Sequence, residues 1–413
     1  MSMKNIIVAQ SGGPTVAINA SLAGVISAAL GNDNYDKVYG SIYGILGILN
    51  DNLIDLTQKA EGDSDFIDTL KVSPAMYLGS CRHKLPTYED DPTPYTTIFN
   101  QFEKYNIGAF FYIGGNDSMD TTLKLSHYGE QIGSDIRIIG IPKTIDNDLC
   151  LTDHTPGYGS AAKYIATSML EISHDTYIYS VPSVTIVEIM GRDAGWLTAA
   201  AALARNEYNT APHLIYFPEV AFDKEAFIND IKEQLKIRNN VIIAVSEGIR
   251  DKDGQYISAS TAVNDQFGHK QLSGTGKSLE YLVKENINIK VRSIELNVLQ
   301  RCASHQASLT DINESFKLGQ TALEFSDKGY TKCMLTIKRV SDSPYTTAIE
   351  SADILSIANK YKPIPREWIN ASGNDVTPEL IRYMSPLIVG ETNVKYKDGL
   401  PVYLSINHLD SSK

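Results

Sequence analysis

Two carboxylates flanking one asparagine carry the strongest chemical signal in this chain. They are Asp146 and Asp148 in Pro142-Lys143-Thr144-Ile145-Asp146-Asn147-Asp148, just after the apolar run Arg137 to Ile141. One such carboxylate can take a proton from an attacking hydroxyl, typically worth roughly 100- to 10,000-fold in rate. The other can hold Mg²⁺ on a transferring phosphoryl group. Lys143 adds a compact positive charge suited to phosphate. A polar turn with Asx hydrogen bonding is the plain alternative.

A second cluster, Gly114-Gly115-Asn116-Asp117-Ser118, follows the apolar run Ala109 to Ile113. Its glycines clear space, and the next three residues offer oxygens to Mg²⁺ or hydrogen bonds to phosphate. The same three are good helix caps. Ser11-Gly12-Gly13-Pro14-Thr15 separates the first apolar run from an Ala-rich stretch. There the glycines either admit a phosphate to a helix N-terminus or simply make a tight turn. Arg192, in Met190 to Trp196, suits bidentate phosphate binding. Glu247 reads equally as a ligand for sugar hydroxyls and as a helix-start acid. Arg292 and Arg301 stand around an apolar strand, as a grip on a second phosphate or as two solvated side chains. Leu272 to Ser278 looks like the end of a P-loop, but position 271 is Gln and no strand leads in, so it predicts only a helix start.

These clusters share a position. Each ends a short apolar run of the kind that forms buried parallel strands, and open α/β sheets bind ligands just beyond the carboxyl ends of their strands. Strands are expected at Asn5 to Gln10, Ala109 to Ile113, Arg137 to Ile141, Val184 to Ile189, Leu214 to Phe217, Val241 to Val245, Lys332 to Lys338 and Pro401 to Ile406. Helices are expected over Val16 to Leu30 and Trp196 to Ala204, and Ser160 is a candidate cap for a helix after Gly157. Met76 to Thr93, which holds Arg82, reads as a functional loop.

The chain has 413 residues, 43% hydrophobic and 21% charged, which suits a globular protein of two or three domains. A net charge of -12 argues against nonspecific binding to nucleic acid or anionic membranes. Any phosphorylated ligand must then be held by local cations and backbone N–H groups. The four cysteines are scattered without metal-ligand spacing, which fits free thiols in a reducing, cytoplasmic setting. No apolar run approaches the roughly 20 residues of a membrane span.

Taken in order, the Ser11 to Thr15, Gly79 to Arg82, Gly114 to Ser118, Pro142 to Asp148, Met190 to Trp196, Ser246 to Gly248 and Val291 to Arg301 segments resemble the phosphofructokinase family over most of the chain. The resemblance implies an α/β fold of two Rossmann-like three-layer domains with the active site in the cleft between them. It implies a phosphoryl-donor domain from 1–157 plus about 300–350, and a sugar-phosphate domain from 158–299 plus about 351–413, with soft boundaries. It also implies Mg²⁺, reversible transfer to the 1-hydroxyl of fructose 6-phosphate in glycolysis or gluconeogenesis, and a homo-oligomer, dimer or tetramer.

By the same resemblance Asp146 is the general base, while Asp148 and Asn116 serve the metal. Thr144 and Arg192 attend the transferring phosphoryl group. Gly12, Gly13, Arg82, Gly115, Asp117, Ser118 and Lys143 line the donor site. Met190, Gly191, Glu247, Arg292 and Arg301, with Thr144, Asp146 and Arg192, meet the sugar phosphate.

The likeness is greater to the family's pyrophosphate-dependent branch, because ATP users typically have Gly where Asp117 and Lys143 stand. An Asp at 117 would intrude where a nucleotide's α-phosphate and ribose lie, and Lys143 would neutralise the diphosphate. An ATP-dependent enzyme is the alternative. A catalytically silent regulatory subunit is a second, against which the intact Asp146 and Asp148 speak. The chain departs from the family pattern at Asn116 (Asp in many members), Ser183 (a cross-subunit Arg), Val298 (a His in ATP enzymes) and Cys302-Ala303 (a Gly pair). Its first helix has no arginine, so nucleotide allostery is expected to be weak or absent.

Overall fold

Alternation of short apolar runs with helices yields two main sheets, beside a small antiparallel ribbon of Tyr396–Lys397 with Leu400–Pro401, in the computed structural model, which describes residues 3–258 and 274–410. The strands of the two main sheets are β1 (Lys4–Gln10), β2 (Tyr35–Ser41), β3 (Leu53–Asp55), β4 (Ile107–Gly114), β5 (Arg137–Pro142), β6 (Ser183–Ile189), β7 (Leu214–Tyr216), β8 (Asn240–Ser246), β9 (Lys290–Glu295), β10 (Cys333–Asp342) and β11 (Tyr345–Asp353). The first sheet has the order β11-β10-β5-β4-β1-β2-β3, and the second β7-β8-β6-β9. Within these two sheets all pairings are parallel except β2 with β3 and β10 with β11. Helices and loops cover both faces of each sheet, which is why the central strands are near-continuous apolar runs.

Register decides what the sheets can do. Gln10 pairs with Ile113, and Gly114 with Pro142, so β1, β4 and β5 end level. In the second sheet Ile189 pairs with Ser246, so β6 and β8 also end level. The chemistry-bearing clusters are the residues that follow these ends.

The helix Leu309–Asp327 follows the second sheet in sequence but packs against Ile18–Ala29 on the first. Gly24 and Gly319 let the two backbones touch. A Cβ at Gly24 would lie 2.0 Å from the Phe316 carbonyl oxygen, and one at Gly319 would lie 2.0 Å from that of Ser21.

Three local expectations change. Ser160 does not cap the helix Tyr158–Tyr177, since it lies within the first turn. The cap comes from another helix: the Asp311 carboxylate accepts from the Gly157 and Ser160 N–H groups and from the Ser160 hydroxyl. The Pro401 to Ile406 strand shrinks to Leu400–Pro401. Beyond it Leu404 donates its N–H to the Ser73 hydroxyl, while Leu404, Ile406 and Leu409 pack on the first sheet's core. The tail therefore divides, because Ile364, Ile369, Leu380 and Tyr383 pack with the second sheet. The stretch Trp196 to Ala204 is α-helical to Ala200 and 3-10 thereafter. A helix does start at Thr275, while residues 272–273 lie outside the described residues. No helix among the described residues is long and apolar enough to cross a membrane.

Candidate active site

The level ends of the two sheets line one cleft. The first sheet contributes Gly12, Gly13, Gly115, Asn116, Asp117, Ser118, Lys143, Thr144, Asp146 and Asp148. The second contributes Met190, Arg192 and Glu247, and Arg82 and Arg301 come from connecting segments. Gly191 stands just behind, and its N–H donates to Glu247 Oε1 at 3.3 Å. Its φ of +135° and the Ala194 carbonyl, 2.6 Å from where a Cβ would sit, require glycine there.

Lys143 is buried, and its Nζ donates to the Gly13 carbonyl oxygen at 2.8 Å. Burial pulls its pKa down to about 8, against the opposing pull of Asp146 and Asp148. Gly12 adopts φ +81°, and a Cβ there would come within 3.0 Å of the ammonium. Ser11 and Ser118 pair their hydroxyls beneath the same loop.

Thr144 shapes the loop that carries the carboxylates. Its Oγ1 accepts from the Asp146 N–H at 3.1 Å and donates to Asp146 Oδ2 at 3.2 Å. Burial raises the pKa of Asp146, and the Thr144 hydroxyl, Lys143 and Arg192 oppose it. Burial also raises Asp148, and the Asp146 carboxylate adds to the effect. A pair of carboxylates so placed is a tuned proton acceptor with an unmet demand for positive charge.

Asn147 faces the other way. At φ +55° its Nδ2 donates to the Tyr383 hydroxyl at 2.8 Å, and its Oδ1 accepts from the Thr155 N–H at 3.1 Å. The middle residue of the triplet is thus an anchor, and both Asp neighbours are free to face the cleft. Behind the anchor, Tyr383 donates to the Asp153 carbonyl, and Asp153 holds His154 Nδ1 at 2.8 Å. Glu314 holds His154 Nε2 at 2.7 Å.

Across the cleft, Asp193 aims two arginines. Its Oδ2 accepts from Arg192 Nε at 3.0 Å and its Oδ1 from Arg250 Nη2 at 2.5 Å. Glu247 heads no helix, and burial pushes its pKa up to about 7.

A family model described as "Phosphofructokinase" matches residues 5–326. The chain belongs to the phosphofructokinase family. It is 41% identical over 404 residues to the pyrophosphate--fructose 6-phosphate 1-phosphotransferase of Halomonas elongata, covering 97% of this chain and 96% of that one. It is 40% identical over 409 residues to the protein of the same name from Methylococcus capsulatus, covering 98% and 96%. Among solved structures, the pyrophosphate-dependent phosphofructokinase of Marinobacter aquaeolei superposes with a TM-score of 0.87 at 37% identity, covering 98% of this chain and 96% of that one. The two-sheet α/β fold with a cleft at the strand ends is therefore the phosphofructokinase fold.

Within this phosphofructokinase two expected site residues are placed differently. Arg292 is outside the cleft. It pairs with Thr185 near the amino end of β6, four residues before Leu296, which is roughly 13 Å of strand below the functional end. Its guanidinium donates to Asp175 at 2.7 Å, in a separate hollow with Tyr179, Val181, Ser183 and Lys290. Asn116 does line the cleft, but both ends of its amide are occupied. Oδ1 accepts from the Asn359 N–H at 2.7 Å, and Nδ2 donates to the Lys360 carbonyl at 2.6 Å. It is a poor metal ligand in this state.

Sequence reasoning missed Tyr361, which also lines the cleft. No motif marks it, since it reaches the site only by the docking of a tail segment. Among the described residues no group of three or more His, Cys, Asp or Glu side chains is arranged to hold a metal unaided.

Proposed function

We propose that this chain catalyses reversible phosphoryl transfer from pyrophosphate to the 1-hydroxyl of fructose 6-phosphate, giving fructose 1,6-bisphosphate and phosphate. The observation that carries the donor choice is the buried Lys143 tied to the Gly13 carbonyl, with Asp117 lining the same cleft. A lysine fits the compact charge of a diphosphate, and the Asp117 carboxylate repels a nucleotide's α-phosphate. The activity for which the Halomonas and Methylococcus relatives are named supports the same reading.

In this reading Asp146 takes the proton of the sugar 1-hydroxyl as its oxygen attacks the nearer phosphorus. The new P–O bond forms in line with the breaking P–O–P bond, and phosphate leaves against Lys143. Arg192 and the Thr144 hydroxyl meet the charge on the transferring group, where donors fixed in advance are worth most. Arg82, Gly12, Gly13, Gly115 and Ser118 frame the donor, and Met190, Gly191, Glu247 and Arg301 the sugar phosphate. The first sheet is thereby the donor domain and the second the sugar-phosphate domain.

Mg²⁺ fits this donor set. The ion binds through one or two carboxylates together with substrate phosphates and keeps several waters, so it needs no complete protein cage. Asp148, beside Asp146, would hold it. When bound it would offset charge on the diphosphate.

Arg292 has no route to the sugar phosphate of its own cleft, so its sugar-phosphate role survives only as a contact with a neighbouring copy. The exposed Ile178, Tyr179 and Val181 close to it support a homo-oligomer.

Initial rates with pyrophosphate and with ATP, each with and without Mg²⁺, test the reading. Turnover with pyrophosphate and Mg²⁺ is expected. Turnover with ATP alone overturns the donor assignment, and the exchange of Asp117 and Lys143 for Gly should weaken pyrophosphate use.

A further inference from the structure

The segment Asn359 to Lys362 is a strap pinned to both halves of the molecule. On the donor side the Asn116 amide holds the Asn359 N–H and the Lys360 carbonyl, and Asn359 Nδ2 donates to Asp120 Oδ1 at 3.1 Å. At the other end the Lys362 N–H donates to the Asp148 carbonyl at 2.8 Å, and its ammonium donates to the Thr152 and Asp153 carbonyls. The Lys362 carbonyl accepts from Trp196 Nε1, on the sugar-phosphate side, at 2.8 Å. Between these anchors Tyr361 lines the cleft and stays 55% exposed. A large aromatic ring that is half exposed on a backbone tied down at both ends is poised for a ligand.

The chemistry of position 116 makes the strap selective. An amide both donates and accepts, and this clasp uses one of each. A carboxylate at the same place can only accept, and it would turn an oxygen toward the Lys360 carbonyl. One side chain cannot make this clasp and also be an acidic metal ligand.

We propose that Tyr361 is a further donor-site residue of this enzyme, and that Asn116 is the positioning residue that seats it. The proposal rests on the pyrophosphate reading above. The charged groups bearing on the phenol are Asp148, Asp117, Asp193 and Arg192, and burial followed by these carboxylates keeps it protonated. An uncharged O–H in such a place offers a hydrogen bond to an oxygen of the diphosphate.

Steady-state kinetics of Tyr361→Phe, Tyr361→Ala, Asn116→Asp and the double variant Asn116→Asp/Tyr361→Ala at saturating Mg²⁺ test this. Tyr361→Ala is expected to raise KM for pyrophosphate about tenfold, the effect of one hydrogen bond, with KM for fructose 6-phosphate moving less than about twofold. Tyr361→Phe should show most of that rise. Asn116→Asp should match it and add nothing in the Tyr361→Ala background. Its tryptophan emission should shift, because Trp196 reads the strap directly, while that of Tyr361→Phe should not. Equal rises in both KM values, additive effects in the double variant, or a change only in the Mg²⁺ activation constant for Asn116→Asp would each overturn the proposal. A wild-type protein that uses ATP and not pyrophosphate sinks the donor reading instead. The strap is then scored on KM for ATP in the same variants.

Discussion

The Lys143 ammonium and the Gly13 carbonyl oxygen lie 2.8 Å apart, and this one hydrogen bond ties the loop after β5 to the loop after β1. In the proposed reaction it fixes a positive charge at the donor end before any substrate arrives, so little reorganisation is left for the chemical step.

That charge is present only while Lys143 keeps its proton. Burial lowers its pKa to about 8, so the ammonium is lost as pH rises through that value. kcat/KM for pyrophosphate should therefore fall above about pH 8. A guanidinium does not titrate there. Lys143→Arg should work more slowly but lose this alkaline limb, and an unmoved limb would assign it to another group.

Asp146→Asn should lower kcat by roughly 100- to 10,000-fold while the folded state holds or gains stability. The side chain is buried and its charge is disfavoured there, as its raised pKa records. Removing the charge removes that desolvation cost. Parallel measurements of kcat and Tm would show the two moving apart.

Asp193 touches Arg192 and Arg250. Asp193→Ala should leave Arg192 misaligned and reduce kcat by roughly 10- to 100-fold. Asp193→Glu should recover part of the loss. A variant with altered Tm and unaltered kcat would mark a purely structural role.

His154 is 2% exposed between Asp153 and Glu314. Burial alone would depress its pKa, but the two carboxylates outweigh it and raise the value from 6.5 to about 9. The folded state binds this proton more tightly than the unfolded chain. The resulting stabilisation is complete below pH 6.5 and disappears as pH rises to about 9, in all roughly 3 kcal/mol. Tm should fall across that window, and His154→Gln should be less stable at pH 6 with a flatter slope above it.

Gly24→Ala sets helix propensity against packing. The methyl gains about 1 kcal/mol of intrinsic helix preference. It would also stand 2.0 Å from the Phe316 carbonyl oxygen, where only a shift of the whole helix makes room. Overpacking of this kind costs about 1–3 kcal/mol, so denaturant unfolding should show a net loss.

The cleft-lining clusters at Gly12 to Gly13, Gly115 to Ser118 and Lys143 to Asp148 were legible because they follow strands whose burial leaves an apolar signature, and because their acids and glycines sit within a few positions of each other. Glu247 and Arg301 were legible as residue types, though only the sheet register brings Glu247 to the cleft and only the turn after β9 brings Arg301. The sheet register also carries Arg292 to the wrong end of β9, which a linear reading of a strand with an arginine at each side cannot show. Asn116 carried the signal of a metal ligand, and its actual partners lie in the Asn359 to Lys360 backbone. Tyr361 had no signal at all. Its place depends on hydrogen bonds from residues as distant in sequence as Asn116 and Trp196 to its neighbours in the strap.

The pairing of Cys333 with Ile139 puts β10 beside β5. A chain leaving the ribosome makes these partners roughly 10 to 40 s apart at ordinary synthesis rates. Throughout that interval β5 is an apolar strand with an open edge, and such edges recruit other strands. All four strands of the second sheet have emerged by residue 295, before β10 exists. The half carrying Asp146 is thus the last to close during synthesis. A nascent or truncated product that stops short of Cys333 carries the second sheet entire and a first sheet exposed to aggregation.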